Sequence, residues 1–291
     1  MFCEKEKSIL ISILNSLKRQ KIITNDSKEC DYIGHIEKLV LGMANKIGIN
    51  EFSRDQKKEV SEKVLCFCCL YIINLKGCLN VVYLNSRNYD KINDIFMQII
   101  NQIKAVIILD RSALYSSQLL IVRNIVELIW LSIALLIDEN LYDIYFDTKI
   151  DEYEKWKKYF TPNRLRKNYY ELLILKSKQE SDNLIIQEVF KKKEENYKLL
   201  SRYAHNDYDT FIDNVYHDDI PIFLSDKELS SKEKYLYDLN SELILFLITI
   251  ESTAMNSKEK KFNNVVPDMI YKTICRDYIL GFGMIEIEDK I

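Results

Sequence analysis

The sequence predicts an all-α fold, a multi-helix bundle of about nine or ten helices. The chain has 291 residues but only six glycines and three prolines, where average usage of roughly 7% and 5% would give about 20 and 15. Turn formers this scarce cannot supply the hairpins and glycine-rich loops that sheet-rich and nucleotide-binding folds need. With 47% hydrophobic and 29% charged residues, the chain can bury a sizeable core and is not a disordered segment.

Helix-start and helix-end signals divide the chain into elements. Gly48 follows a helical pattern and suits a C-cap, where a left-handed residue ends the helix. Ser53 and Gln56 have capping-box spacing. Thr161 before Pro162 predicts an N-cap followed by proline at the first helical position, where its missing N–H costs nothing. These signals predict helices near 3–20, 30–47, 54–83, 88–107, 111–138, 139–160, 162–179, 182–208, 226–255 and 267–280.

The helical pattern suggests a division into an N-terminal helical region, 1–85, packed on a bundle core, 86–291, or one continuous domain. A formal charge of −3 excludes attraction of nucleic acid by the protein as a whole, so such a partner needs a local basic patch. The first residues lack the pattern of a secretory signal, which predicts a cytoplasmic protein. The apolar stretches 64–75 and 128–137 are shorter than the roughly 20 residues of a membrane span, so no membrane partner is expected.

Seven cysteines occur in the chain, and three of them cluster at Cys66, Cys68 and Cys69. Cys66 and Cys69 share one helical face, whereas Cys68 points elsewhere, and no second ligand pair with zinc-finger spacing follows. We interpret the cluster as small buried hydrophobic residues of a reduced protein rather than as a metal site. No metal or cofactor is expected.

A charged pair interrupts the apolar helix predicted at 111–138. Arg123 and Glu127 lie four positions apart and therefore on one helical face. Apolar residues surround the helix almost completely after residue 119, which predicts burial on all sides. Two interpretations stay open: a structural ion pair that fixes the register of the helix, or part of a pocket shared with another helix.

The end of the helix predicted at 182–208 carries a second polar group. Ser201 and His205 are one turn apart on the same face, and Arg202 points sideways. If helical geometry continues, His205, Asp209 and Asp213 stay roughly aligned and can form a metal or acid/base cluster. We favour the simpler interpretation that the acidic residues after His205 form a solvated loop.

These two segments together resemble a known pattern. Arg-x-x-x-Glu at Arg123–Glu127, followed by Leu-Ser-x-Tyr-x-His at 200–205, is similar to a family of uncharacterised bacterial helical proteins that resemble HEPN domains. The likeness covers about residues 95–210. It implies a helical bundle, often dimeric, of a class that includes metal-independent ribonucleases and toxins of defence systems. The HEPN signature places four to six residues between Arg and His, whereas Arg202 and His205 have two between them.

Under this resemblance the site would be an endoribonuclease centre. A histidine with a pKa near 6.5 can take the proton of a 2′-hydroxyl, and a guanidinium can stabilise charge on the phosphate. His205 is then the base, and Arg202 or Arg123 contacts the phosphate. Glu127 orients Arg123 or, across the bundle, His205. We expect Ser201 and Asn206 beside them to bind substrate.

A basic and aromatic stretch offers a surface for RNA. No acidic residue occurs between Lys155 and Lys167, and Trp156, Tyr159 and Phe160 are interleaved with the cations. Cations and aromatic rings together suit phosphate contact and base stacking. The alternative is a helix–loop–helix corner with lysine stems lying along apolar surface. The residues predicted to bind substrate here are Lys157, Lys158, Arg164 and Arg166.

Two hypotheses of function follow. The first is a HEPN-like protein that binds or cleaves RNA in a bacterial defence or toxin–antitoxin system. The alternative is a non-catalytic interaction module for a protein partner, in which Arg123, Glu127, Ser201 and His205 form a polar network that sets the register of the bundle. Apolar residues at 243–250 and 265–282 also predict a homo-oligomer, or else packing within the chain.

Overall fold

The computed structural model describes residues 2–20, 29–54, 56–82, 90–112, 114–176 and 273–279, together with most positions of 191–201 and 239–249. Within this part of the chain 88% of the residues are helical and no strand occurs. The predicted all-α, multi-helix fold is confirmed.

The helices have the following bounds. They are α1 (Glu4–Arg19), α2 (Glu29–Lys46), α3 (Gln56–Val82), α4 (Asp90–Arg111), α5 (Tyr115–Ile137), α6 (Glu139–Phe146), α7 (Glu152–Lys155), a π-helical turn (Trp156–Phe160) and α8 (Pro162–Lys176). The described residues of 191–201 and 239–249, and all of 273–279, are also helical.

The chain divides into two compact units. Unit 1 comprises Met1–Lys104, Leu236–Ile248 and Met255–Ile291, and unit 2 comprises Ala105–Tyr235 and Thr249–Ala254. The units are therefore assembled from separate stretches of sequence. The first boundary between the units falls after Lys104. The division at residue 85 that the sequence suggests stays a prediction.

Helix α3 is the centre of unit 1. Residues 62–72 are all buried, and α2 packs against both α1 and α3. The ring of Phe67 in α3 stacks on Tyr278 at 3.8 Å between centroids, and Phe2 lies 6.1 Å from Phe67. Side chains from the start of the chain, from α3 and from near the end of the chain thus share one core.

Two of the predicted helix-end signals lie in unit 1. Gly48 has a positive φ of 90°, and the N–H of Ile49 donates to the carbonyl of Ala44 at 2.8 Å, as in a Schellman motif. The predicted C-cap is therefore confirmed. The capping box at Ser53 is wrong, because α3 begins at Gln56 and the backbone N–H of Ser53 donates instead to Glu62 at 2.8 Å.

The cysteine cluster is buried, as the sequence predicts. Cys66, Cys68 and Cys69 are inaccessible to solvent, and burial raises the pKa of all three thiols above the ordinary value. A raised pKa leaves little thiolate to bind metal or react. Among the described residues, no group of three or more His, Cys, Asp and Glu side chains is placed to hold a metal ion.

A buried ionic cluster, which the sequence analysis did not identify, joins α1 to α3. Lys63 Nζ donates to both carboxylate oxygens of Glu6 at 3.0 Å and lies 2.8 Å from Glu59. Tyr278 donates its hydroxyl to Glu6 at 3.1 Å. The backbone N–H of Cys3 donates to the same carboxylate at 2.6 Å. We call Glu6, Lys63, Glu59 and Tyr278 the Lys63 cluster.

The cluster keeps its charges because they are paired. Burial by itself lowers the pKa of Lys63, but hydrogen bonds and charges from Glu59 and Glu6 outweigh burial and leave the pKa above its ordinary value. Burial and the charge of Glu6 both raise the pKa of Tyr278. Lys63 therefore remains an ammonium ion and Tyr278 remains a hydrogen-bond donor.

Helix α5 is central to unit 2, where α6 and α8 pack against it. Residues 129–136 are buried on every side, but Asn124 and Leu120 are exposed. The prediction of burial on all sides after residue 119 is therefore wrong for the first half of the helix, including the two charged positions.

The single helix predicted at 139–160 is interrupted. Helix α6 ends at Phe146, and Asp151 caps α7 by accepting a hydrogen bond from the N–H of Glu154 at 3.1 Å. Between them, Asp147 accepts from the N–H of Lys149 at 2.8 Å. Short acidic side chains that bond to nearby backbone N–H groups compete with the helix, which explains the break.

Two described helices meet the length and composition of a membrane span, Lys91–Arg111 and Ser117–Ile137. Half of the first window and 61% of the second are buried inside the structure, as is usual for core helices. Ser117–Ile137 contains the apolar stretch 128–137 together with Arg123 and Glu127, whereas Lys91–Arg111 lies outside both stretches considered in the sequence. The absence of a membrane partner stays a prediction.

The apolar residues near the end of the chain pack within unit 1. Leu243, Phe246 and Leu247 are buried, as are Ile274 and Ile279. The edge of the Phe246 ring packs against Phe96 at 5.9 Å. Packing within the chain accounts for these described positions, and homo-oligomerisation stays a prediction.

Replacing Lys63 with Met should destabilise the protein by about 3–5 kcal/mol, because Glu6 would be left as an uncompensated buried charge. Urea unfolding followed by circular dichroism measures the loss. Lys46→Met, at an exposed position of α2, is the matched control and should change the free energy of unfolding by less than about 0.5 kcal/mol. Equal stability of the two variants would contradict the role of the cluster.

Candidate functional site

Arg123 and Glu127 form the ion pair that their spacing predicts. Arg123 Nε donates to Glu127 Oε1 at 2.9 Å. The two side chains are 21% and 26% exposed, so the pair is at the border between core and solvent. Ile125, on the opposite side of α5, is fully buried, and the buried Trp130 lies close to the helical face that carries the pair.

Tyr197 completes the site, although the sequence pattern did not predict it. Its hydroxyl donates to Glu127 Oε1 at 2.6 Å, which is the oxygen that also accepts from Arg123. Its ring centroid lies 5.7 Å from the Arg123 guanidinium and 4.9 Å from the buried ring of Trp130. We call Arg123, Glu127 and Tyr197 the Glu127 network.

A signal for Tyr197 was present in the sequence. Tyr197 precedes Ser201 by one turn, so it lies on the helical face that the sequence predicts for Ser201 and His205. Ser201 is helical and partly buried. The other predicted members of this group, Arg202, His205 and Asn206, lie outside the described residues.

The charges within the network stabilise one another. Burial by itself lowers the pKa of Arg123, but the Tyr197 hydroxyl and the Glu127 carboxylate outweigh it and raise the pKa. Burial, the hydrogen bond to Glu127 and the charge of Glu127 raise the pKa of Tyr197 to about 12. At neutral pH Arg123 is therefore a cation and Tyr197 is a neutral phenol. Because the charge of Glu127 offsets the charge of Arg123, the electrostatic attraction of a phosphate to Arg123 would be weaker than to an uncompensated cation.

The second part of the candidate site lies on α7, the π-helical turn and the start of α8. Tyr153, Trp156, Lys157, Lys158 and Arg164 are all exposed, and we call these five residues the basic aromatic surface. Lys157 and Lys158 have no ion-pair partner among the described residues. The guanidinium of Arg164 donates to the carbonyl of Lys158, which joins the two helical segments.

Two cations of the predicted RNA surface are mostly or fully buried in the structure. Lys155 is buried, where Nζ donates to the carbonyl of Tyr145 at 3.2 Å and to Glu152 at 2.6 Å. Arg166, predicted to bind substrate, is mostly buried and forms an ion pair with Glu194 at 3.4 Å. Arg166 is therefore a structural residue that joins α8 to 191–201.

Thr161 precedes the first residue of α8, as predicted.

Comparisons with protein-family models, curated proteins and solved structures return no match. The resemblance to HEPN-related proteins therefore stays a prediction. What the structure adds is the geometry of the Glu127 network and of the basic aromatic surface, and both lie within unit 2.

The raised pKa of Tyr197 predicts how stability changes at alkaline pH. The folded protein holds the phenol proton more tightly than the unfolded chain, whose tyrosine pKa is 10.0. The unfolded state consequently binds fewer protons between pH 10 and 12, so the free energy of unfolding falls as pH rises. The contribution of Tyr197 is at most about 2.7 kcal/mol.

Urea unfolding of the wild type and Tyr197→Phe between pH 9 and 11.5 measures this effect. The phenylalanine variant should lose less stability as pH rises, and Tyr153→Phe, which removes an exposed phenol, should behave like the wild type. Identical pH slopes for Tyr197→Phe and the wild type would show that Tyr197 does not hold its proton more tightly in the folded state.

Proposed function

We propose that this protein is a HEPN-like helical protein that acts on RNA in a bacterial defence or toxin–antitoxin system. The observation that carries the proposal is the basic aromatic surface. It combines exposed cations at Lys157, Lys158 and Arg164 with exposed rings at Tyr153 and Trp156. Such a surface attracts phosphates locally in a protein whose formal charge is −3.

The catalytic form of the proposal is a metal-independent endoribonuclease. His205 removes the 2′-hydroxyl proton, the 2′-oxygen attacks the adjacent phosphorus, and the 5′-oxygen leaves and takes up a proton. The products are a 2′,3′-cyclic phosphate and a 5′-hydroxyl. Arg202 or Arg123 stabilises the phosphate charge, with Asn206 and Ser201 beside the substrate. Glu127 orients Arg123 by accepting its hydrogen bond, and Tyr197 orients Glu127 by donating a hydrogen bond to it.

An RNA cleavage assay in EDTA tests the catalytic form. We expect the wild type to cut a labelled RNA and His205→Ala to lose activity by about 10²- to 10⁴-fold, the usual contribution of a general base. His35→Ala in α2 is the matched control and should retain activity. Cleavage that is equal in the wild type and His205→Ala, or absent from both, would exclude an enzyme that uses His205.

The second candidate function is a non-catalytic interaction module for a protein partner. It is favoured by the Glu127 network, in which a single carboxylate oxygen accepts hydrogen bonds from both Arg123 and Tyr197. Donors that are satisfied within the protein suit a device that sets helix register. In this function the network is structural, and binding depends on the surrounding surface.

Paired substitutions test the structural function of the network. Glu127→Leu should cost about 1–3 kcal/mol, because it leaves two donors without their acceptor. Arg123→Met combined with Glu127→Leu should cost less than the sum of the single changes and leave folding largely intact. Thermal melts provide the measurement.

The exposed ion pair Lys167–Glu171 in α8 spans 3.7 Å and has the same four-residue spacing. It is the matched control, and breaking it should cost less than about 0.5 kcal/mol. Single changes in the Glu127 network that cost no more than those at Lys167–Glu171 would contradict a structural role.

A further inference from the structure

We propose that Tyr153 and Trp156 form a stacking platform for an unpaired base, so that the substrate class of the basic aromatic surface is single-stranded RNA. The inference rests on the proposed RNA function and adds the form of RNA that is recognised. Lys157, Lys158 and Arg164 would contact the phosphates that flank the stacked base.

The two rings are already arranged as a platform. Their centroids are 6.2 Å apart and their planes differ by 26°. Tyr153 is 63% exposed and Trp156 is 49% exposed, although burial of large aromatic side chains is strongly favourable. A nucleobase on these faces would cover apolar surface that the described protein leaves open to solvent.

Other aromatic residues of the same region are used differently. Phe160 is buried, and the edge of the Tyr145 ring packs against it at 5.1 Å. The ammonium of Lys155 is held by the carbonyl of Tyr145 and by Glu152. These buried anchors hold the segment that carries Tyr153 and Trp156. A platform held in place in this way loses little conformational entropy when a base binds.

The positions of the cations match this occupant. Lys157 Nζ lies 6.0 Å from the centre of the Tyr153 ring, and Lys158 Nζ lies 5.1 Å from the Tyr159 ring. Because Lys157 Nζ lies over one face of Tyr153, a phosphate on Lys157 would lie beside a base that stacks on the neighbouring Trp156 ring. Since every base has a π-face, stacking of this kind tolerates many sequences.

Two other occupants fit less well. A duplex keeps the faces of its bases within the stack, so it offers nothing to the two rings. Glu152 and Glu154 are exposed on the same segment, and their charges oppose contact with a broad anionic membrane.

The two tryptophans of the chain allow a direct test. Trp130 is buried and Trp156 is half exposed, so Trp130→Phe leaves Trp156 as the only indole. The titrants are an unstructured 12-nucleotide RNA, DNA of the same sequence and the corresponding RNA duplex, all in EDTA. If Trp130→Phe does not fold, the difference between the wild type and Trp156→Phe gives the same signal.

We expect single-stranded RNA to quench Trp156 emission and to bind at least about 10-fold more tightly than the duplex. Trp156→Ala and Tyr153→Ala should each weaken binding of single-stranded RNA, measured by fluorescence anisotropy, by about 5- to 100-fold. Leu114→Ala, at an exposed apolar position of unit 2, is the control and should bind like the wild type.

Equal binding of duplex and single strand, or RNA binding unaffected by both alanine variants, would overturn the platform while leaving the proposed RNA function standing. Equal affinity for single-stranded DNA would overturn the assignment to RNA. Binding to none of the nucleic acids would overturn the proposed RNA function itself. Quenching by vesicles of 70% phosphatidylcholine and 30% phosphatidylserine, without quenching by RNA, would reassign the surface to membrane contact.

Discussion

The buried ion pair between Lys63 and Glu6 is the constraint on which unit 1 depends. Removing an ammonium and a carboxylate from water costs several kcal/mol for each ion, and the cost is offset only when the remaining donors and acceptors are also satisfied. Here Tyr278, Glu59 and the backbone N–H of Cys3 complete the set. Because the partners come from α1, from α3 and from the segment 273–279 near the end of the chain, this pairing requires the three elements to pack in one arrangement.

The Glu127 network applies the same principle in unit 2, with more access to solvent. Glu127 joins a neighbour on its own helix, Arg123, to a residue 70 positions later, Tyr197. The long-range bond orients the segment 191–201 against α5, and the ion pair between Arg166 and Glu194 does the same for α8. Polar contacts thus link three helices: α5, α8 and the segment 191–201.

The region from α6 to α8 shows how one aromatic and basic stretch separates into an inner and an outer set. Phe160 and Lys155 are buried and hold the segment, whereas Trp156 and Lys157 are exposed. The break between α6 and α7 and the π-helical turn change the helical phase, so residues that look equivalent in sequence face opposite environments. This separation leaves the exposed set as the surface that we propose for RNA.

The sequence by itself determined the features that depend on neighbouring residues. Few turn formers gave the helical class, Gly48 gave the end of α2, and the four-residue spacing of Arg123 and Glu127 gave their ion pair, because a helix brings such positions together wherever it packs. Only the tertiary structure decided that Tyr197 completes the network and that Lys63 meets Glu6 across 57 positions. Those contacts depend on how helices pack, which the local pattern of a single helix does not specify.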